Sequence, residues 1–176
     1  MVSHAPRKEE NTPDGDLLSF PEIAEKSEGR HALAWLKMDV DDLGWIFAHG
    51  LKRPEQKQIS ISRIATLSRT LEGFSRARLQ QLLRKNFPDT YLVYAGGDDV
   101  LALGPWDKII ALAARIRTEF HEFTGRNPAF TLSAGIALAG DHTPVLTAAA
   151  QADARLEGAK NIPGDGPLPW PCFGGE

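Results

Sequence analysis

Three aspartates stand out by type and position. Asp39 closes an apolar run, and Asp98 and Asp99 follow two glycines in Tyr94-Ala95-Gly96-Gly97-Asp98-Asp99-Val100. Carboxylates brought within a few ångströms repel unless cations neutralise them. Magnesium suits such a set, because it takes carboxylate oxygens, water and substrate phosphate together. Two ions about 4 Å apart activate a ribose hydroxyl and stabilise a leaving pyrophosphate. The expected cofactor is therefore a pair of Mg2+ (or Mn2+) ions held by Asp39, Asp98 and Asp99, with a nucleoside triphosphate as substrate. Gly96 and Gly97 remove side chains where a triphosphate or base must approach the backbone.

Each motif also has a purely structural reading. Gly-Gly-Asp-Asp is a good turn sequence, and Asp39-Val40-Asp41-Asp42 before a helix can serve as a cap. Their joint presence at the ends of two separate elements favours a site, because a solvated turn needs no acid at the end of a buried strand. Lys160 can neutralise a β- or γ-phosphate, or can be a solvated cation at a helix C-terminus. Ser133 can face a substrate or simply pack in a sheet. The five histidines show no metal-ligand spacing, and the lone Cys172 has no His-rich motif beside it.

The elements that must position these groups follow from periodicity. Ala32 to Met38 is a mostly apolar run, as in a buried central strand, and a short helix is expected from Asp41, its Trp45-Ile46-Phe47 segment helping to wall the pocket. Lys52 to Gln58 reads as a polar loop. Ser60 opens a long helix to Leu83 with Ile61, Ile64, Leu71, Phe74 and Leu82 inward. Tyr91 to Ala95 and Val100 to Leu103 are β-prone runs joined by the glycine turn, a hairpin. Ile109, Leu112, Ala113, Ile116, Phe120 and Phe123 mark an amphipathic helix. Phe130 to Leu138 is a further strand, and a last helix after Pro144 turns Val145, Ala149, Ala152 and Leu156 inward. This order predicts an α+β, ferredoxin-like palm: a mixed β-sheet with helices on one face. Its first strand lies beside the hairpin, so the three acids share one edge.

With 176 residues, 42 % hydrophobic and 24 % charged, the chain suits one globular domain. The net charge of −3 gives no basic footprint of a nucleic-acid binder. No signal-peptide pattern or membrane-length apolar run is present, and one cysteine suits a reducing compartment, so a cytoplasmic location is expected. Residues 1–29 read as a flexible segment with a short helical turn around Pro21 to Lys26. Residues 30–160 form the palm, and 161–176 a Pro/Gly-rich tail leading to a missing C-terminal part.

Several segments together resemble one family. Leu36-Lys37-Met38-Asp39-Val40-Asp41-Asp42-Leu43-Gly44, the run from Ser60 to Arg69, Tyr94 to Val100, Gly104-Pro105-Trp106-Asp107, Asn127 to Ile136 and Ala159-Lys160 are similar to the large polymerase-like subunit of type III CRISPR effector complexes, in its Csm (type III-A) branch. The likeness spans about residues 17–176 and points to the second, GGDD-containing palm. It implies synthesis of 3′–5′ linked cyclic oligoadenylates from ATP when the complex binds target RNA. Asp39 would be the strand-end metal ligand and Asp98 and Asp99 the hairpin ligands. Val40 would add a backbone carbonyl, Gly96 and Gly97 would border the nucleotide, and Ser133 and Lys160 would touch substrate. Expected partners are other effector subunits and guide and target RNA.

The family's HD nuclease domain, first palm, zinc-binding segment and helical C-terminal domain are not recognisable, so a fragment is expected. Two other readings stay open. A diguanylate cyclase of the GGDEF class shares the topology, although Val100 stands where that class has Phe. A non-catalytic scaffold domain within the CRISPR complex is the second. A homodimer supplying both palms by symmetry is a further expectation.

Overall fold

The computed structural model describes residues 4–7, 17–50, 60–140 and 142–161. Strand β1 (Leu33–Val40) leads through α2 (Leu43–Trp45) and a π-helical turn (Ile46–Gly50) toward α3 (Ile61–Gly73). A second π-helical stretch (Phe74–Leu79) continues α3 into α4 (Gln80–Asn86). The hairpin β2 (Tyr91–Gly96) and β3 (Asp99–Pro105) follows, then α5 (Trp106–Phe123), β4 (Leu132–Ala139) and α6 (Val145–Lys160). The expected elements are therefore all present, and they are α+β. The loop expected at 52–58 and the tail beyond 161 lie outside the described residues.

The four strands pair in the order β2-β3-β1-β4, the ferredoxin-like arrangement. Every pairing is antiparallel, which corrects the expectation of a mixed sheet. Each helical crossover joins two strands of like direction but skips the position between them. The skipped position is filled by a strand of the opposite direction, so parallel strands never become neighbours.

Helices cover both faces, not one. The period of two along β1 explains why. Ala34, Leu36, Met38 and Val40 enter a core with Leu71, Phe74, Leu79 and Leu83 of the α3–α4 arm and Ile109, Leu112 and Ile116 of α5. Leu33 and Trp35 turn the other way, to a second core completed by Ala137 and Ala139 of β4 and Ala148 and Ala152 of α6. That core also takes Ile23 and Ala24 from α1 (Phe20–Ala24).

The N-terminal segment is thus more than the flexible stretch expected for residues 1–29. Glu22 accepts hydrogen bonds from the Ser19 N–H (2.8 Å) and hydroxyl (2.6 Å), a reciprocal cap of the kind that fixes helix starts. Phe20 meets Trp35 edge-on at 6.4 Å. Ile23 is fully buried, and burial of such a side chain stabilises by about 2 kcal/mol. Further upstream, His4 exchanges backbone hydrogen bonds with Leu92 of β2. Among the described residues no helix is long and apolar enough to cross a membrane.

Candidate active site at the acidic sheet end

The second core runs out toward one end of the sheet, where polar residues take over the same face. Along β1, Leu33 and Trp35 are followed at the same period by Lys37 and Asp39. The β1–β3 register ends at Met38↔Val100, so Asp39 and Asp99 stand opposite each other one step beyond it. Their strands run in opposite directions, so the C-terminal end of β1 meets the N-terminal start of β3. On the other side of β1, Asp39 pairs with Ser133 and Lys37 with Gly135. Val40 turns its side chain into the first core and is nearly fully buried, which leaves only its main-chain carbonyl for the acidic end.

The hairpin turn is Gly97-Asp98. Gly97 takes a φ of +56°, as the first central residue of a two-residue hairpin commonly must. The Ser75 hydroxyl, buried in the π-helical stretch, donates to the Gly97 carbonyl at 3.4 Å. At Gly96 the Tyr94 hydroxyl fills the space a Cβ would take, 2.5 Å from where it would stand, so a side chain there would have to displace the tyrosine ring. Asp98 is exposed and Asp99 half-buried.

Two lysines meet these acids. Lys37 Nζ lies 3.3 Å from Asp99 Oδ2, a diagonal cross-strand pair, and 3.9 Å from Asp153 Oδ1 on α6. Lys160 Nζ, one turn-pair further along α6, donates to Asp39 Oδ2. Helix α6 therefore docks on β1 through two reciprocal ion pairs, Lys37–Asp153 and Asp39–Lys160. It can come so close because Gly135 lies beneath it; a Cβ at that position would sit 2.1 Å from the Ala152 carbonyl oxygen and 2.3 Å from the Leu156 nitrogen.

Burial pushes the Asp99 carboxyl above its ordinary range; Lys37 pulls it back, and Asp39 and Asp98 push it further up. The strand register puts Asp39 and Asp99 at one sheet end, with Asp98 next to Asp99 in the turn. They do not form a ready-made cage, however: among the described residues no three His, Cys, Asp or Glu side chains are gathered closely enough to hold a metal ion. The lysine ammoniums occupy the places beside Asp39 and Asp99 where cationic charge is required. Burial by itself would lower the Lys160 pKa, but the Asp39 hydrogen bond and the charges of Asp39, Asp41 and Glu157 together outweigh it and lift the ammonium above its ordinary range.

The remaining expected residues divide. Asp41 does not start a helix. Its carboxylate accepts from the Thr131 hydroxyl at 2.7 Å and its N–H donates to the Thr131 carbonyl at 2.9 Å, tying the exit of β1 to the entry of β4. Asp42 adopts a left-handed conformation (φ 50°) before α2. Trp45 is exposed and stacks on His49 at 5.1 Å. Lys37, Ser75 and Thr131 were not singled out from sequence. A lysine in a strand, a serine in a helix and a threonine before a strand carry no signal until the register brings them to the acids.

The family described as Cas10/Cmr2, second palm domain, matches residues 32–166. The CRISPR system single-strand-specific deoxyribonuclease Cas10/Csm1 (subtype III-A) of Methanocaldococcus jannaschii is 39% identical over 166 residues, 86% of this chain and 20% of that protein. Among solved structures, the Csm1–Csm4 cassette in complex with AMPPNP aligns with a TM-score of 0.77 at 30% identity, covering 90% of this chain and 23% of that one. The same cassette in complex with cA4 aligns at 0.76 with the same identity and coverage. The chain thus spans about a fifth of the length of the curated relatives it matches. With its antiparallel palm, its Gly-Gly-Asp-Asp hairpin and a family match covering most of its length, the chain belongs to the Cas10/Cmr2 second palm domain family.

Proposed function

We propose that this chain is the nucleotidyl-transferring palm of a type III-A CRISPR effector, joining adenylates from ATP into 3′–5′ linked cyclic oligoadenylates on target RNA binding. The carrying observation is that Asp39 and Asp99 face each other across the two central strands, each against a lysine ammonium. The donor set suits hard divalent cations: carboxylate oxygens from two strands, with lysines already supplying the charge such ions would bring. Asp39, Asp98, Asp99 and the Val40 carbonyl would hold Mg2+ or Mn2+, two ions in this reading. When bound, the ions would lower the pKa of the attacking hydroxyl and offset charge on the departing pyrophosphate.

The chain's own residues do the rest. The Gly96-Gly97 turn leaves the backbone bare for a triphosphate, and the Ser75 contact holds its carbonyl in place. Ser133, opposite Asp39, offers a hydroxyl at the same end. Lys160, which pairs with Asp39, would be free to take a phosphate oxygen if divalent ions neutralised that carboxylate. In the bond-forming step the 3′-hydroxyl of one nucleotide attacks the α-phosphorus of the next; the bond to pyrophosphate breaks, and the hydroxyl proton leaves to solvent. The aligned cassettes with AMPPNP and cA4 bound support an adenylate substrate and product of this class. Other effector subunits, among them one of the Csm4 kind, and guide and target RNA are the proposed partners of the full-length protein.

Asp98→Ala combined with Asp99→Ala is expected to abolish Mg2+-dependent ATP binding while leaving the far-UV circular dichroism unchanged. Titration calorimetry giving unchanged Mg2+–ATP affinity for the double variant would remove the assignment. Product mass after incubation with ATP or GTP separates this reading from a diguanylate cyclase.

A further inference from the structure

Lys37 has a feature that the proposed metal site does not use: it stands between two acids. Its ammonium is 3.3 Å from Asp99 on β3 and 3.9 Å from Asp153 on α6, and its side chain is 23% exposed. The place is fixed by the fold. Asp99 is its diagonal neighbour across the sheet, and Gly135, directly opposite Lys37 on β4, lets α6 descend until Asp153 comes within reach. Asp153 is the more exposed acid, with 58% of its side chain accessible.

We propose that Lys37 is a two-position counter-cation. It neutralises Asp99 while no divalent ion is bound and moves onto Asp153 when an ion takes Asp99. The inference rests on Asp99 being a metal ligand, as argued above. The electrostatics set the direction. An ammonium beside Asp99 competes with an incoming divalent ion and repels it. A carboxylate at Asp153 offers the ammonium somewhere to go, at a surface where the pair is only weakly held. Lys37 would therefore lower divalent affinity, whereas Asp153, though it touches no metal, would raise it. Fixed charges alone would give these signs; what the movement of Lys37 adds is coupling, so Asp153→Asn should lose its effect on binding once Lys37 is replaced by Met.

The test is Mn2+ binding to the 176-residue chain, read from the electron paramagnetic resonance signal of free Mn2+, with thermal melting in EDTA alongside. Lys37→Met is expected to tighten Mn2+ binding by ~3- to 10-fold through loss of a competing like charge, and to melt lower than wild type in EDTA by an amount that shrinks when Mn2+ is added. Asp153→Asn is expected to weaken binding by ~2- to 3-fold, because an exposed partner contributes modestly. Lys37→Arg should keep wild-type affinity. Asp153 lies on the surface of α6, so its variant reads out even if Lys37→Met does not fold. Shifts of the two variants in the same direction, an Asp153→Asn affinity equal to wild type, or a loss from Asp153→Asn that is as large in the Lys37→Met background as in wild type, overturn the proposal while leaving the metal site standing. A wild-type chain whose Mn2+ binding is untouched by Asp98→Ala with Asp99→Ala overturns both.

Discussion

At the acidic sheet end, Asp99 lies under opposing forces. Its burial disfavours the charged form, Lys37 favours it, and Asp39 and Asp98 again disfavour it; the balance lifts its pKa above 3.8. The sign follows from linkage. A carboxyl whose folded pKa exceeds its unfolded one costs stability when ionised, and that cost disappears as pH falls through the folded value. Asp99→Asn is therefore expected to melt higher than wild type in EDTA at pH 7, with the gap closing on acidification; an unchanged or lower melting temperature at pH 7 contradicts the balance. At this scale the sequence was half legible. Asp39, Asp98 and Asp99 announce themselves by type and by the glycines before the pair. Lys37 does not, because its meaning lies in a diagonal contact with a residue 62 positions away. Lys160 was open between a phosphate ligand and a solvated cation, and its pairing with Asp39 is a third state.

At the level of elements, the position of α6 is decided by a missing side chain. With Ala152 and Leu156 backbone atoms 2.1 and 2.3 Å from where a Cβ would stand, Gly135→Ala cannot be absorbed by a rotamer change. It is expected to cost about 3 kcal/mol, at the upper end for overpacking, and chemical denaturation should show it as a lowered urea midpoint with unchanged slope. A midpoint within error of wild type would mean that the helix shifts freely. Helix α6 itself was legible in extent but not fully in orientation. Ala152 and Leu156 are buried as expected, whereas Val145 is 42% exposed and Ala148 takes the inward place. In so alanine-rich a helix, hydrophobicity barely distinguishes one side from another. Similarly, Ile61 is 83% exposed although the α3 pattern turned it inward; it begins the helix, beyond the reach of the sheet. Helix α1 (Phe20–Ala24) falls close to the short helical turn expected around Pro21 to Lys26, with Pro21 suiting a first helical turn, but five residues show no period that would have revealed its burial against β1.

Over the whole molecule, the α3–α4 arm and α5 must keep a fixed relation, since the arm carries the Ser75 contact to the hairpin turn. One link is charged. Glu119 on α5, 6% exposed, accepts from Arg78 Nε at 2.6 Å and is also paired with Arg115 at 2.7 Å. The three line a cleft of ≈ 190 Å³ together with Gln81, Lys85 and Asn86. The Arg78 hydrogen bond, against the opposing effect of burial and helped by the charge of both arginines, holds the Glu119 carboxyl below 4.5. A depressed carboxyl gives stability that is fully present above its unfolded value and is lost as pH falls through the folded one. Urea midpoints from pH 7 to pH 3 should therefore fall less steeply for Glu119→Gln than for wild type, from a lower starting value at pH 7. Parallel curves would show that the cluster contributes nothing. The architecture was readable at this scale as an element order, and the pairing order followed from it. That helices lie on both faces was not, because strands with apolar residues at both parities fit a one-sided or a two-sided cover alike until α1 and α6 are placed.

The exchange of backbone hydrogen bonds between His4 and Leu92, at 3.4 and 2.7 Å, has a bearing on solubility. Bare outer strands invite intermolecular ladder growth, and Tyr91-Leu92-Val93-Tyr94 is a β-prone tetrapeptide of the sort that templates it. His4 acts as a sacrificial rung, blocking recruitment of a neighbour at that point of the margin. Trimming residues 1–7 should turn a well-behaved preparation into one that sediments heterogeneously with rising concentration, although Asp39, Asp98 and Asp99 would all still be in the chain.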